Sequence, residues 1–214
     1  ILASYWRAGK EWRKMADAIE AFLPRVPNTD AARPLRTFAA QLASEAYRTL
    51  GDTLYWKNEY AAALPHYRSA LRHRPDDALA SERLGRCLLQ TGAKDEARPL
   101  LTAALVRAPA SSWQAKFNTA TALARTFSRP ADPDEVLAAV KGDEQSVLIL
   151  RILSALDGKR YSEAFPDILD MEKKTSAGGD FASRVAQELS SLNRLSQEYC
   201  AFFVREYPAH RSVG

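Results

Sequence analysis

Residues 44–77, SEAYRTLGDTLYWKNEYAAALPHYRSALRHRPDD, and residues 78–110, ALASERLGRCLLQTGAKDEARPLLTAALVRAPA, are one pattern written twice. Leu50-Gly51, Ala63, Tyr67, Ala70 and Pro75 recur as Leu84-Gly85, Ala97, Leu101, Ala104 and Pro109, and every offset is 34. A period of this length marks a two-helix unit that cannot bury its apolar face alone and must stack on its neighbours. Gly51 and Gly85 are the small residues where the second helix approaches the first, and Ala63 and Ala97 are their partners. Lys57-Asn58 and Gln90-Thr91-Gly92 supply the turns, and Pro75 and Pro109 end each unit.

Outward from this core the pattern thins. On the N-terminal side, Leu2, Tyr5, Trp6, Trp12, Met15, Ala16, Ile19, Phe22 and Leu23 keep three- and four-residue steps, which predicts one amphipathic helix over Ile1 to Leu23, ended by Pro24 and Pro27. Asp30 is read as the N-cap of a second helix with Pro34 in its first turn, running to Trp56. On the C-terminal side, Trp113 to Phe127 is helical in pattern but carries Asn118-Thr119 in place of Leu-Gly. Asp132-Pro133-Asp134-Glu135 opens a short helix to Val140. Gly158 to Pro166 parallels Lys57 to Pro65, and Ala164 follows Ala97 by 67 residues, one short of two periods. After Ser176-Ala177-Gly178-Gly179, a stripe from Phe181 to Phe203 reads as a closing helix, with a tail expected to fray after Tyr207.

The expected architecture is all-α: a short right-handed solenoid of antiparallel helix pairs, with an extra N-terminal helix and a C-terminal capping helix. Its segments are an extension over 1–43, two clear repeats over 44–110, a degenerate repeat over 111–144, a divergent repeat over 145–178, and the cap and tail over 179–214.

The repeated segment resembles the tetratricopeptide repeat (TPR) family, whose signature is a large residue, Leu-Gly, an aromatic, then Ala, an aromatic, Ala and Pro. Tyr47, Leu50, Gly51, Leu54, Ala63, Tyr67, Ala70 and Pro75 carry it in the first repeat. Ser81, Leu84, Gly85, Leu88, Ala97, Leu101, Ala104 and Pro109 carry it in the second, which departs mainly at Ser81. More loosely, the order of two good repeats, one eroded repeat, a Gly-x-Tyr-x-Glu-Ala unit and a closing helix is similar to the C-terminal module of thioredoxin-fold holdase chaperones. The chain lacks that family's Cys-x-x-Cys.

The resemblance implies a groove lined by the first helix of each pair. Helical spacing places Glu45, Arg48, Asp52, Tyr55 and Trp56 there, then Leu79, Glu82, Arg86 and Leu89, then Trp113, Lys116 and Leu123. Aromatic and Arg anchors of this kind suit a protein or peptide partner. TPR co-chaperones hold acidic C-terminal tails in a Lys/Asn clamp, and here the two clamp Asn positions are Asp52 and Arg83, while Trp113 and Phe117 replace the basic pair. A heat-shock tail is therefore not the expected partner.

Composition narrows the remaining classes. The 30 basic residues are interspersed with 26 acidic ones, leaving +4, so contact with an acidic partner is permitted but not demanded. Arg68, Arg72 and Arg74 form a candidate basic patch, but no stacking aromatics interleave with it, so nucleic acid is not favoured. No apolar stretch reaches the ~20 residues of a membrane span. His66, His73 and His210 keep no metal spacing with acids or cysteines, and no metal site or cofactor is expected. Cys87 and Cys200 read as small buried residues in a reducing compartment, and the start at Ile1 is that expected of a processed or trimmed product. Phosphate loops, nucleophile elbows and HExxH helices are absent, so no catalytic residues are assigned. A non-enzymatic scaffold or adaptor, acting alone or in a larger assembly, is the leading expectation. A holdase-type co-chaperone and a structural subunit of an organellar or ribonucleoprotein complex are the alternatives.

Overall fold

The computed structural model describes residues 10–109, 113–127, 143–157 and 160–174, with Ala138, Val140 and Arg205 besides. Among these residues all regular structure is helical. In chain order it comprises α1 (Trp12–Phe22), two 3-10 turns (Leu23–Arg25 and Asp30–Ala32), α2 (Arg33–Tyr55), α3 (Tyr60–His73), α4 (Ala78–Gln90), α5 (Lys94–Arg107), α6 (Trp113–Ala124), α7 (Glu144–Asp157) and α8 (Tyr161–Lys174). The chain forms two compact units, Ile1–Arg107 and Ala108–Gly214.

In the first unit each helix packs on the next, from α1 through α5. The α2/α3 and α4/α5 pairs are closed by the two glycines. A Cβ added to Gly51 would stand 2.8 Å from Cε1 of Tyr67, and one added to Gly85 would stand 2.6 Å from Cγ of Leu101. Tyr67, Leu101, Ala63, Ala97 and Ala70 are fully buried, so the large residue on each outer helix lies over the small one on its inner partner. Gly51→Ala gains helix propensity of about 1 kcal/mol but overpacks a buried ring at a cost of about 1–3 kcal/mol. The expected net result is a lower urea midpoint; an unchanged or raised midpoint would show that the ring can yield.

The turns repeat as faithfully as the packing. Asn58 and Gly92, one period apart, both take positive φ, 62° and 89°. The N–H of Asn58 donates to Tyr55 O at 2.9 Å and that of Glu59 to Leu54 O at 3.0 Å. Gly92 donates to Leu89 O at 3.3 Å and Ala93 to Leu88 O at 2.8 Å. This is the Schellman closure, which needs a left-handed residue and accepts Gly or Asn there. The second unit keeps one of these bonds: Arg160 N–H donates to Ala155 O at 2.8 Å. Arg160 lies 67 residues after Ala93, the same slip that separates buried Ala97 from buried Ala164.

Among the described residues, prolines stand inside three outer helices, Pro65 in α3, Pro99 in α5 and Pro166 in α8. Each withholds an N–H from the carbonyl four residues earlier, on Ala61, Asp95 and Ser162, at a cost of about 3 kcal/mol in a helix interior. All six residues are exposed, so water can satisfy those carbonyls.

Two expectations are corrected on the N-terminal side. Lys10 has φ 57° and α1 begins only at Trp12, so a right-handed helix does not run continuously from Ile1 to Leu23. Asp30 opens a 3-10 turn instead of capping α2, because its carboxylate is taken by the guanidinium of Arg33.

In the second unit α6 packs on α7 and α7 on α8, around buried Phe117, Leu123, Ile149, Leu150 and Ile152. The expected helix opening at Asp132 and the capping helix over 179–214 fall outside the described residues, apart from Ala138, Val140 and Arg205.

Candidate functional site

Arg48, Asp52 and Tyr55 share one face of α2, and Glu82, Arg86 and Leu89 hold the equivalent places on α4, each 34 residues on. The charge order is inverted between the two helices, Arg then Asp on α2 and Glu then Arg on α4. Each helix pairs its own charges: Arg48 approaches Asp52 at 3.9 Å, and Arg86 Nε donates to Glu82. A third guanidinium joins the helices. Arg83 Nε lies 3.8 Å from Asp52 and 3.6 Å from Glu82, with its charge centre 4.7 Å from the Tyr55 ring and 5.0 Å from the Trp56 ring. Burial pulls the Arg83 pKa down, but Glu82, Tyr55 and Asp52 outweigh it and the net shift is upward.

This face is braced from behind. Tyr67 Oη donates to Asp52 Oδ1 at 2.7 Å. Asp77 caps α4 by accepting the Ala80 N–H at 3.0 Å, takes the Ser44 hydroxyl at 3.3 Å, and faces Arg48 at 3.7 Å. The Nε atoms of Arg48 and Arg83 are buried and, among the described residues, meet these carboxylates at ion-pair rather than hydrogen-bond distance. Trp56, at the C-terminal end of α2, is 70% exposed and meets the Tyr55 ring edge-on at 5.3 Å and 89°.

Residues 48–112 match the model of the tetratricopeptide repeat family. This segment is made of tetratricopeptide repeats. Such repeats are scaffolds for protein–protein interaction, generally without catalysis of their own. A comparison with curated proteins gives no match. Within the TPR segment, Asp77 and Arg83 belong to the α2/α4 face although neither was placed in the groove by spacing. The signal for Asp77 was the Pro75-Asp76-Asp77 stop-and-cap before α4; the signal for Arg83 was its place at one of the two clamp positions.

Two of the groove positions assigned beyond the TPR segment, Lys116 and Leu123, are buried. Lys116 is a correction: it is 2% exposed, its Nζ paired with Asp143 and donating to Ser146 Oγ at 3.2 Å. Asp143 precedes α7 and accepts from both the N–H and the hydroxyl of Ser146, at 3.3 and 2.6 Å. A buried ammonium is tolerable only with such partners. Leu123 is likewise buried in that unit. Trp113 opens α6, and its side chain is outside those described.

The basic patch is compensated residue by residue. Arg68 pairs with Glu96 at 3.1 Å, Arg72 with Glu20 at 3.2 Å, and Arg74 with Asp76 at 3.7 Å. Glu20 also receives His73 at 2.9 Å and the Tyr47 hydroxyl at 3.2 Å, and the His73 hydrogen bond is the main reason its pKa is lowered. Burial, helped by Arg13, lowers the pKa of His66. Among the described residues no three acids, histidines or cysteines come together as a metal site, and no helix is long and apolar enough to cross a membrane. Cys87 is buried, which pushes its thiol up to about 12 and keeps it out of thiolate chemistry. Cys200 lies outside the described residues.

Proposed function

We propose that the chain is a non-enzymatic scaffold that grips a protein or peptide partner on the α2/α4 face of its TPR segment, with Trp56 as the anchor. The observation that carries this reading is the 70% exposure of a tryptophan held in place by Arg83 and Tyr55. A pre-oriented aromatic loses little entropy on binding, and Trp and Arg dominate interface energetics.

The same geometry disfavours a heat-shock tail, because Asp52 and Arg83 face one another where a clamp would present two neutral amides. It also disfavours nucleic acid, since Arg68, Arg72 and Arg74 are each neutralised locally. The test is affinity capture with the chain as bait, comparing wild type with Trp56→Ala/Arg86→Ala. Trp56 is exposed and Arg86 half-buried, and circular dichroism verifies that the double variant is folded. Truncating one hot spot costs at least ~2 kcal/mol, or more than about tenfold in affinity. Equal recovery of the same partners by a folded double variant would remove the reading.

A further inference from the structure

A cavity of about 560 Å³ opens between the connector after α1, the N-terminal half of α2 and the C-terminal end of α3. None of the α2/α4 face residues lines it. Its volume falls in the range of small-molecule sites, ~300–1,000 Å³. Three guanidiniums, Arg33, Arg36 and Arg72, border it together with Asn28, Thr29 and Thr37.

Arg36 is fixed in place. Its Nη1 donates to Val26 O at 2.7 Å and to Leu23 O at 3.4 Å, while Nη2 and Nε make no hydrogen bond among the described residues. The guanidinium is thus oriented by the backbone with donors left over. Arg72 is anchored by Glu20 and Ser69, and Arg33 by Asp30. Among the described residues the side chains of Asn28, Thr29 and Thr37 make no hydrogen bond, and the three cations meet two carboxylates, Asp30 and Glu20, so the site keeps an excess of positive charge. Leu23 and Ala40 supply an apolar part of the wall.

Oriented guanidiniums beside free hydroxyls recognise tetrahedral oxyanions, since their planar forks donate paired hydrogen bonds. We infer that this cavity binds a small organic phosphomonoester, with Arg36 and Arg33 on the phosphate, Thr29 and Thr37 completing its hydrogen bonds, and the organic part against Leu23 and Ala40. Arg72 is the one member of the basic stretch that borders the cavity.

Isothermal titration of the full chain with AMP and with inorganic phosphate tests this, with adenosine, citrate and a phosphoserine peptide as comparators. AMP is expected to bind saturably and adenosine not at all. Arg33→Glu/Thr37→Glu, two exposed positions, is expected to weaken AMP by about tenfold or more while leaving the ligand-free melting temperature unchanged. Four results overturn the assignment: no saturable binding of either phosphate probe up to about 10 mM, unaltered affinity in the folded variant, citrate binding as tightly as AMP, or a phosphoserine peptide binding more tightly than AMP.

Discussion

Tyr67→Ala is expected to destabilise the Ile1–Arg107 unit by about 3–5 kcal/mol, the range for removing a buried aromatic ring. A domain has only about 5–15 kcal/mol in total, so much of the population would unfold at modest urea. The ring is fully buried and sits over Gly51, where no side chain can move in to fill the space. Its hydroxyl also holds Asp52 at 2.7 Å, so the truncation leaves a cavity and releases an acid of the α2/α4 face. Tyr67→Phe removes only the hydrogen bond and should cost about 0.5–1.5 kcal/mol. Tyr67→Leu copies the residue found one period later and should fall between the two. Urea melts followed by circular dichroism give the ranking; an alanine variant as stable as wild type would mean that the helix pair does not depend on this contact.

Asp143→Ala is the second large effect, and it falls on the other unit. Lys116 is 2% exposed, and removing Asp143 takes the counter-ion from a buried ammonium, at a cost of about 3–5 kcal/mol. Lys116→Met should cost less, because Asp143 is 19% exposed and keeps the two Ser146 bonds. The pair also fixes a pH dependence. Burial raises the Asp143 pKa, but the hydrogen bonds from Lys116 and Ser146 outweigh it, and the folded value lies below 3.8. A carboxylate depressed on folding gives its full stabilisation above the unfolded pKa of about 4 and loses it as pH falls through the folded one. The wild type should therefore lead the Asp143→Ala variant widely near neutrality and by progressively less in acid. A gap that stays constant between about pH 7 and pH 2 would contradict the pairing.

What was readable in the sequence was whatever a side chain must do alone. Gly51 and Gly85 have to be small, Tyr67 and Leu101 have to be large, and Asn58 and Gly92 have to tolerate positive φ, so the period and the turns are written in residue type. What escaped was decided by partners. Arg48 and Lys116 are two periods apart, 68 residues, and both face the acid preceding a later inner helix, Asp77 for one and Asp143 for the other. One stays half-buried on a face and the other is buried, because burial follows the packing around the pair and not the identity of the cation. Arg68 and Arg72 looked like free charge because their acids, Glu96 and Glu20, lie 28 and 52 residues away. The break at Lys10 left only the preceding Gly9 as a trace.

The prolines at 65, 99 and 166 carry a consequence in time. Short helices are marginal before they pack, and one burdened by an internal proline does not persist by itself. Each such helix follows, in the chain, a partner free of proline beyond its first turn: α2 precedes α3, α4 precedes α5, and α7 precedes α8. As the polypeptide leaves the ribosome, the template therefore emerges before the element that depends on it, and each of these three helices is laid down on an inner one already made.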